Sequence, residues 1–224
     1  MRTFTHPGYK RFLLSLLSIH FTALFFLTLF RLVFFFSANY DFPDQEHVGF
    51  MSIWPAFIRG VWFDNVIACY ILLIPLVAVS ISALFNYYGK ILWNVTCIFF
   101  SLFYGIVLLV TAANIPYFQY FFKIINSSVF NWFGYMNTTA GMVFGETSYY
   151  PPLIGFLLTL VLFIWLMRRL IRHFQRLLNT KNPSVFWLDR IYIFLTAGIC
   201  IGLCLFGIRG RTGYNPIKVS AAYY

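Results

Sequence analysis

Acidic residues are scarce in this chain. Its 224 residues include six Asp and Glu against 16 Lys and Arg, and charged residues make up 10% of the sequence. So few charges cannot cover the surface of a water-soluble domain of this size. They also leave no dense set of carboxylates and histidines of the kind that hydrolases and metal-assisted phosphoryl transferases need. This chain by itself is therefore not expected to catalyse a reaction.

Cysteine is also rare. The four cysteines all fall inside apolar stretches: Cys69, Cys97, Cys200 and Cys204. Their spacing matches neither a disulfide framework nor a zinc site, which would need two further ligands near Cys200 and Cys204. We expect all four to be buried in lipid or between helices, and we predict no cofactor in this chain.

Apolar sequence is abundant, with 61% hydrophobic and 22% aromatic residues. Five apolar stretches alternate with short polar links, at residues 12–37, 66–85, 91–113, 152–167 and 186–208. A bilayer core is crossed by roughly 20 helical residues, so every stretch except the fourth is long enough without its flanks. The predicted fold is all-α: a polytopic integral membrane protein with five transmembrane helices in a domain spanning residues 1–208.

The charges predict how this protein would lie in a membrane. One set of links holds ten basic residues: Arg2, Lys10, Arg11, Lys90, Arg168, Arg169, Arg172, Arg176, Lys181 and Arg190. The opposite links hold five of the six acids: Asp41, Asp44, Glu46, Asp64 and Glu146. The positive-inside rule then places the N-terminus in the cytoplasm and the C-terminus outside. The same arrangement explains the net charge of +10 without a nucleic-acid partner.

The first apolar stretch resembles a signal peptide because basic residues precede it. Its length exceeds the roughly 7 to 15 apolar residues of a signal sequence, and no cleavage site follows it. We therefore expect it to remain as an uncleaved anchor.

The two outer links have predicted structure of their own. Residues 38–65 are expected to contain a short helix around 52–59. In residues 114–151, aromatic and aliphatic side chains recur at steps of three and four from Phe118 to Phe133. This spacing predicts an amphipathic helix, which either lies on the outer membrane surface or packs across the tops of the spans.

Ionisable residues inside apolar spans are costly, so each needs a partner or access to water. Arg31 lies in the outer third of the first span, and Asp64 opens the second at the same depth. The two could pair, or Arg31 together with Arg59 could hold a lipid phosphate through bidentate hydrogen bonds. His20 is expected to form a hydrogen bond with a neighbouring helix, since no acids follow a path that would make it a proton relay.

Several short motifs are distributed along the chain from Gly60 to Tyr223. Gly60, Val61, Trp62, Phe63 and Asp64 form a Gly-x-x-Phe-Asp element; the others are Ala113 to Phe118, Gly207 to Arg211, Asn215 to Ile217 and Ala221 to Tyr223. With the five-span layout, they resemble the membrane region of lipoteichoic-acid-synthase-like proteins. Many members of that family have Arg in the position of Trp62.

The resemblance implies a function. In that family an extracytoplasmic domain of the sulfatase or alkaline phosphatase type follows the membrane region. It transfers phosphoglycerol or phosphoethanolamine from a phospholipid to an acceptor in the cell envelope, using a divalent metal (Mn, Mg or Zn). The resemblance thus implies a bacterial cytoplasmic membrane protein whose residues 209–224 are a linker towards a catalytic domain missing from this chain. Whether the complete protein is an enzyme depends on that domain.

Five residues are candidates for specific roles under this resemblance. Arg31, Arg59 and Asp64 are candidates for contact with lipid headgroups or for helix pairing, and Arg209 and Arg211 are candidates for docking the catalytic domain. The expected partners are membrane phospholipid and the protein's own catalytic domain. A self-contained transporter subunit and a membrane scaffold remain alternatives. The nearly pure hydrocarbon of the spans disfavours transport, which usually requires polar residues along the path.

Overall fold

The computed structural model describes residues 7–41, 50–126, 141, 145, 147–177 and 187–209. This part of the chain is built of helices and turns and contains no β-strand. Five long helices are connected in the order α1 Pro7–Asp41, α2 Phe50–Leu84, α3 Lys90–Phe121, α4 Tyr150–Leu177 and α5 Trp187–Arg209, with a 3₁₀ turn, Thr147–Tyr149, directly before α4. The predicted all-α class is confirmed for the described residues.

Each long helix contains a segment that is long and apolar enough to cross a membrane: Gly8–Ser37, Phe57–Leu84, Lys90–Gln119, Tyr150–Arg176 and Trp187–Arg209. These are the five spans predicted from the apolar stretches. The fourth candidate span is 27 residues long, because the helix continues through the arginines after Met167. Its length therefore no longer depends on which flanking residues are counted as interfacial.

The second helix begins earlier than the sequence indicated. The short helix expected around residues 52–59 and the span expected from Val66 are one continuous helix, α2, which contains Pro55 and Pro75. Each proline removes one backbone hydrogen bond, and the helix continues past both. As a result, Asp64 lies well inside α2 instead of at its start.

α1 is the central helix of the bundle. It packs against α2, α3 and α4, while α5 packs along α2 and α4 packs along α3. Seven buried residues of α1 recur at alternating steps of three and four, with Ser15, His20 and Leu27 buried beside them: Tyr9, Phe12, Leu16, Ile19, Ala23, Phe26 and Phe30. This spacing keeps one narrow face of a helix against its neighbours along its whole length.

Aromatic contacts hold α1 against α3 and α4. The rings of Phe12 and Trp93 stack with their centroids 3.8 Å apart. Phe163 of α4 meets Phe26 of α1 and Tyr104 of α3 edge to face, at centroid distances of 5.9 and 5.5 Å. Edge-to-face pairs place the positive ring edge against the negative ring face, which favours these packed arrangements.

A tight turn precedes α3, and non-helical residues follow it. A tight turn after α2 contains Asn86 in the left-handed conformation, which Asn tolerates better than most residues. At its other end α3 stops at Phe121, and residues 122–126 are not helical. The predicted amphipathic helix therefore does not begin at Phe118, which belongs to α3. Its remaining residues, from 127 to 133, lie outside the described part of the chain.

Candidate functional site

Arg31 and Asp64 form a two-point ion pair between α1 and α2. Nη2 of Arg31 donates to Oδ1 of Asp64 at 2.7 Å, and Nε donates to Oδ2 at 3.2 Å. The Arg31 side chain keeps 33% of its surface exposed, and the Asp64 side chain keeps 12%. The planar fork of a guanidinium matches a carboxylate in this geometry, which makes the pair both stronger and more directional than a single contact.

Gly60 lies directly against this ion pair. It lies one helical turn before Asp64 on the same face of α2 and is buried. A Cβ added to Gly60 would overlap the guanidinium of Arg31, with its Nε only 2.6 Å away. The guanidinium therefore lies directly against the backbone of α2, and a side chain at position 60 would push it out of this position. This contact gives a physical reason for glycine and aspartate at the two ends of the Gly-x-x-Phe-Asp element.

The other predicted site residues are Arg59, Arg209 and Arg211. Arg59 is exposed and directly precedes Gly60 in the chain, so it lies close to the pair in sequence. Arg209 is the exposed last residue of α5. Arg211 lies outside the described residues, and so do residues 210–224 of the predicted linker.

A second polar contact connects the same two helices. Nε2 of His20 lies 3.2 Å from Oδ1 of Asn65, and since that oxygen accepts, His20 donates as the Nε2–H tautomer. His20 keeps only 7% of its surface exposed, and its Nδ1 has no hydrogen-bond partner among the described residues. The predicted hydrogen bond between His20 and a neighbouring helix is confirmed. Asn65, its partner, directly follows Asp64.

A third contact links α2 to α5. The Cys204 thiol donates to the backbone oxygen of Cys69 at 3.2 Å, and both cysteines are buried. Within α2, the Cys69 thiol points to Oδ1 of Asn65, one helical turn earlier, at 3.8 Å. A Cβ on Gly207 would lie 2.6 Å from the sulfur of Cys69, so glycine again permits close approach of two helices.

These contacts form one polar seam, defined by Arg31, His20, Asp64, Asn65, Cys69 and Cys204. Within the described residues, no three His, Cys, Asp or Glu side chains are placed to hold a metal ion. The one strongly charged group of the seam is the Arg31–Asp64 pair. Asp64 occupies the Nε–Nη2 edge of the guanidinium.

The sequence indicated only part of this seam. Arg31 and Asp64 were identifiable because charges within apolar spans require partners. Asn65, Cys69, Cys204 and Gly207 were missed as a group, because small polar residues and glycine are common in apolar helices. Their available signal was the four-residue step between Asn65 and Cys69, which places both on one helix face.

No protein-family model, curated protein or solved structure matches this chain. The resemblance to lipoteichoic-acid-synthase-like proteins is therefore carried by the short motifs and the layout of the apolar stretches alone.

Proposed function

We propose that this chain is the multi-pass membrane domain of a transferase in the bacterial cytoplasmic membrane. In this proposal the N-terminus is cytoplasmic and the C-terminus extracytoplasmic. The domain anchors a sulfatase-type catalytic domain, which moves phosphoglycerol or phosphoethanolamine from a phospholipid to an acceptor in the cell envelope. The divalent metal that such chemistry uses belongs to that catalytic domain, and this chain supplies the anchor and the surface that faces the lipid.

The observation that carries the proposal is the ion pair of Arg31 and Asp64 over Gly60. The same glycine and aspartate begin and end the element on which the resemblance depends, and both contact Arg31. Trp62, which stands where many family members have Arg, is 43% exposed. Its side chain is not part of the ion pair, so this departure leaves the pair intact.

The depth of the ion pair suits contact with a lipid headgroup. Arg31 lies two turns before Ser37, the end of the first candidate span, and Asp64 lies two turns after Phe57, where the second begins. Both are therefore near the proposed outer interface, where lipid phosphates lie. Asp64 holds the guanidinium in one orientation, which reduces the entropy that Arg31 would lose on binding a phosphate.

Two further elements of the proposal lie on the outer side. We place an interfacial amphipathic helix in the segment after α3, beginning beyond Asn126. We assign residues 209–224 as the linker, with Arg209 and Arg211 contacting the catalytic domain. Arg209 ends α5 and is exposed, which suits a residue at the exit from the membrane.

The first test is the length of the native product, obtained by reading the coding sequence beyond Tyr224 and by intact mass. We expect a continuous reading frame that encodes a domain with a Thr or Ser nucleophile and Asp and His metal ligands. A stop codon directly after Tyr224 would refute the proposal.

The second test measures the role of Arg31 in the complete protein. Arg31→Ala and Asp64→Ala should each reduce transfer of the phospholipid headgroup, with Lys123→Ala, an exposed basic residue of the same proposed side, as the comparison. If both variants fold and transfer headgroups at the wild-type rate, Arg31 and Asp64 have no role in the reaction.

A further inference from the structure

The cytoplasmic end of α4 carries a basic groove on one helix face. Its lining residues are Trp165, Arg169, Arg172, His173 and Arg176, which enclose about 400 Å³. All of the charged side chains among them are exposed. The sequence of α4 contains no Asp or Glu, so no acid of the same helix compensates these charges.

The groove faces away from the rest of the bundle. The buried residues of α4 are Phe163, Met167 and Ile171, at steps of four. The stripe of Trp165, Arg169, Arg172 and Arg176 is displaced from them by roughly 170° around the helix, at 3.6 residues per turn. The positive-inside rule depends on the number of basic residues on one side and does not require them to share a face. The shared face therefore needs a separate explanation.

The position of the stripe along α4 matches the headgroup layer of a membrane. The helix begins at Tyr150, and roughly 20 helical residues cross a hydrocarbon core, which places Arg169 at its cytoplasmic boundary. From Arg169 to Arg176 the helix rises about 10 Å. That distance covers the layer in which lipid phosphates lie, while Trp165 lies just inside it, where interfacial tryptophans are enriched.

Local contacts hold two of the arginines in place. The guanidinium of Arg169 lies over the Trp165 ring, 5.3 Å from its centroid, in a cation–π contact. Nε of Arg172 donates to the backbone oxygen of Arg168 at 3.2 Å, which engages one of its five N–H donors. Both contacts restrict the guanidinium groups and leave most of their donors for an anion.

We propose that the Trp165–Arg176 face of α4 is a binding site for the phosphate of anionic phospholipids in the cytoplasmic leaflet. This inference rests on the proposed membrane insertion and orientation, and it is independent of the catalytic domain. The absence of acids from α4, the shared face of the arginines and the depth of the headgroup layer together favour an anionic lipid as the occupant. The guanidinium groups bind its phosphate, and Trp165 packs against the upper acyl chain.

The test uses the full chain reconstituted in nanodiscs with equal amounts of phosphatidylglycerol and phosphatidylcholine. Native mass spectrometry counts the lipids that stay bound. We expect phosphatidylglycerol to be enriched on the wild type and the enrichment to fall on the order of 10- to 100-fold in R169Q/R172Q/R176Q, since each basic residue near the surface adds to the attraction.

The matched control is K10Q/K90Q/R190Q. It removes three exposed positive charges from the same proposed side of the membrane but leaves the groove intact. We expect this variant to retain the enrichment. Equal loss in both triple variants would show a general charge effect and overturn the site. R169K/R172K/R176K keeps charge and fold, and it should retain most of the enrichment, with some weakening because lysine cannot bind a phosphate bidentately.

Three further outcomes test the site, and the last two separate it from the proposal on which it rests. Displacement of phosphatidylglycerol by inorganic phosphate would show a site for free phosphate and overturn lipid binding. Wild-type protein that resists carbonate extraction from vesicles but shows no preference for phosphatidylglycerol would overturn the site alone. Release of the wild-type chain by carbonate would overturn both the site and the proposed membrane insertion.

Discussion

Arg31 of α1 and Asp64 of α2 meet in a two-point ion pair, with donor–acceptor distances of 2.7 and 3.2 Å, and the guanidinium lies against the backbone of Gly60. Each of these contacts predicts a different effect of mutation. Together they allow the contribution of the pair to stability to be separated from any contribution to lipid binding.

Removing one partner of the ion pair should cost more than removing both. Asp64→Leu leaves Arg31 without its carboxylate in an apolar span, which should destabilise the fold by about 2 kcal/mol. Replacing both residues, in R31M/D64L, should recover most of that loss. Thermal unfolding in a mild non-ionic detergent measures both, and Lys123→Gln serves as the exposed control. Wild-type stability of the Asp64→Leu variant would show that the pair contributes little.

Gly60→Ala should destabilise the protein by about 1 to 3 kcal/mol, because its Cβ would overlap the Arg31 guanidinium. The matched control is Gly155→Ala in α4, where an added Cβ meets nothing within 4 Å. That substitution should be neutral or slightly stabilising, since alanine is the better helix former.

The overlap can be tested by double substitution. In an Arg31→Met background, Gly60→Ala should lose most of its cost, since the flexible side chain of methionine can move aside. Equal costs in both backgrounds would indicate that Gly60 is needed for a different reason.

Asn65→Leu should destabilise the protein by about 1 kcal/mol, the typical size of a hydrogen bond between helices in lipid. The substitution leaves the buried Nε2 of His20 without its acceptor. In a His20→Leu background the same substitution should cost less. A double-mutant cycle on melting temperatures measures this coupling, and additive effects would show that the two side chains do not interact.

The contact between α2 and α5 predicts a disulfide on oxidation. The Cys204 thiol lies 3.2 Å from the backbone oxygen of Cys69, so these two cysteines face each other across the contact. Copper–phenanthroline treatment of a C97A/C200A variant should therefore join them, with the loss of two hydrogens in intact mass. Further substitution of Cys69 or Cys204 by Ala should abolish that change. If the C97A/C200A variant remains fully reduced, the packing of α2 on α5 differs from that described here.

The sequence predicted the number and approximate positions of the helices because apolar length alone determines them in a chain of this composition. It did not predict that α2 runs without a break from Phe50, because Gly60 and Asp64 lie between the short helix expected around residues 52–59 and the apolar stretch that begins at Val66. The pairing of Arg31 with Asp64 could be predicted, because a charged side chain inside an apolar span is costly without a partner. The role of Gly60 could not, since close contact between a guanidinium and a glycine depends on how α1 and α2 cross.

For the basic residues after Met167, too, the sequence predicted one property and left another undetermined. Their number predicted an orientation in the membrane, whereas their shared face became visible only when α4 was seen to continue through them to Leu177. The apolar stretch ends at Met167, before the arginines. Its length therefore gives no information on whether the arginines are helical or share a helix face. Side-chain contacts, such as that between Arg169 and Trp165, depend on rotamers and are not encoded in residue spacing.

The ion pair also bears on how the chain would enter a bilayer. Its two partners are 33 positions apart in the sequence, on consecutive helices. For a protein that inserts as it is synthesised, α1 and α2 can leave the translocon together as a helical hairpin, each neutralising the charge of the other. An Asp64 variant would then be impaired during biogenesis as well as in the folded state. The defect would be observed as a lower yield of protein in the membrane, before any loss of activity.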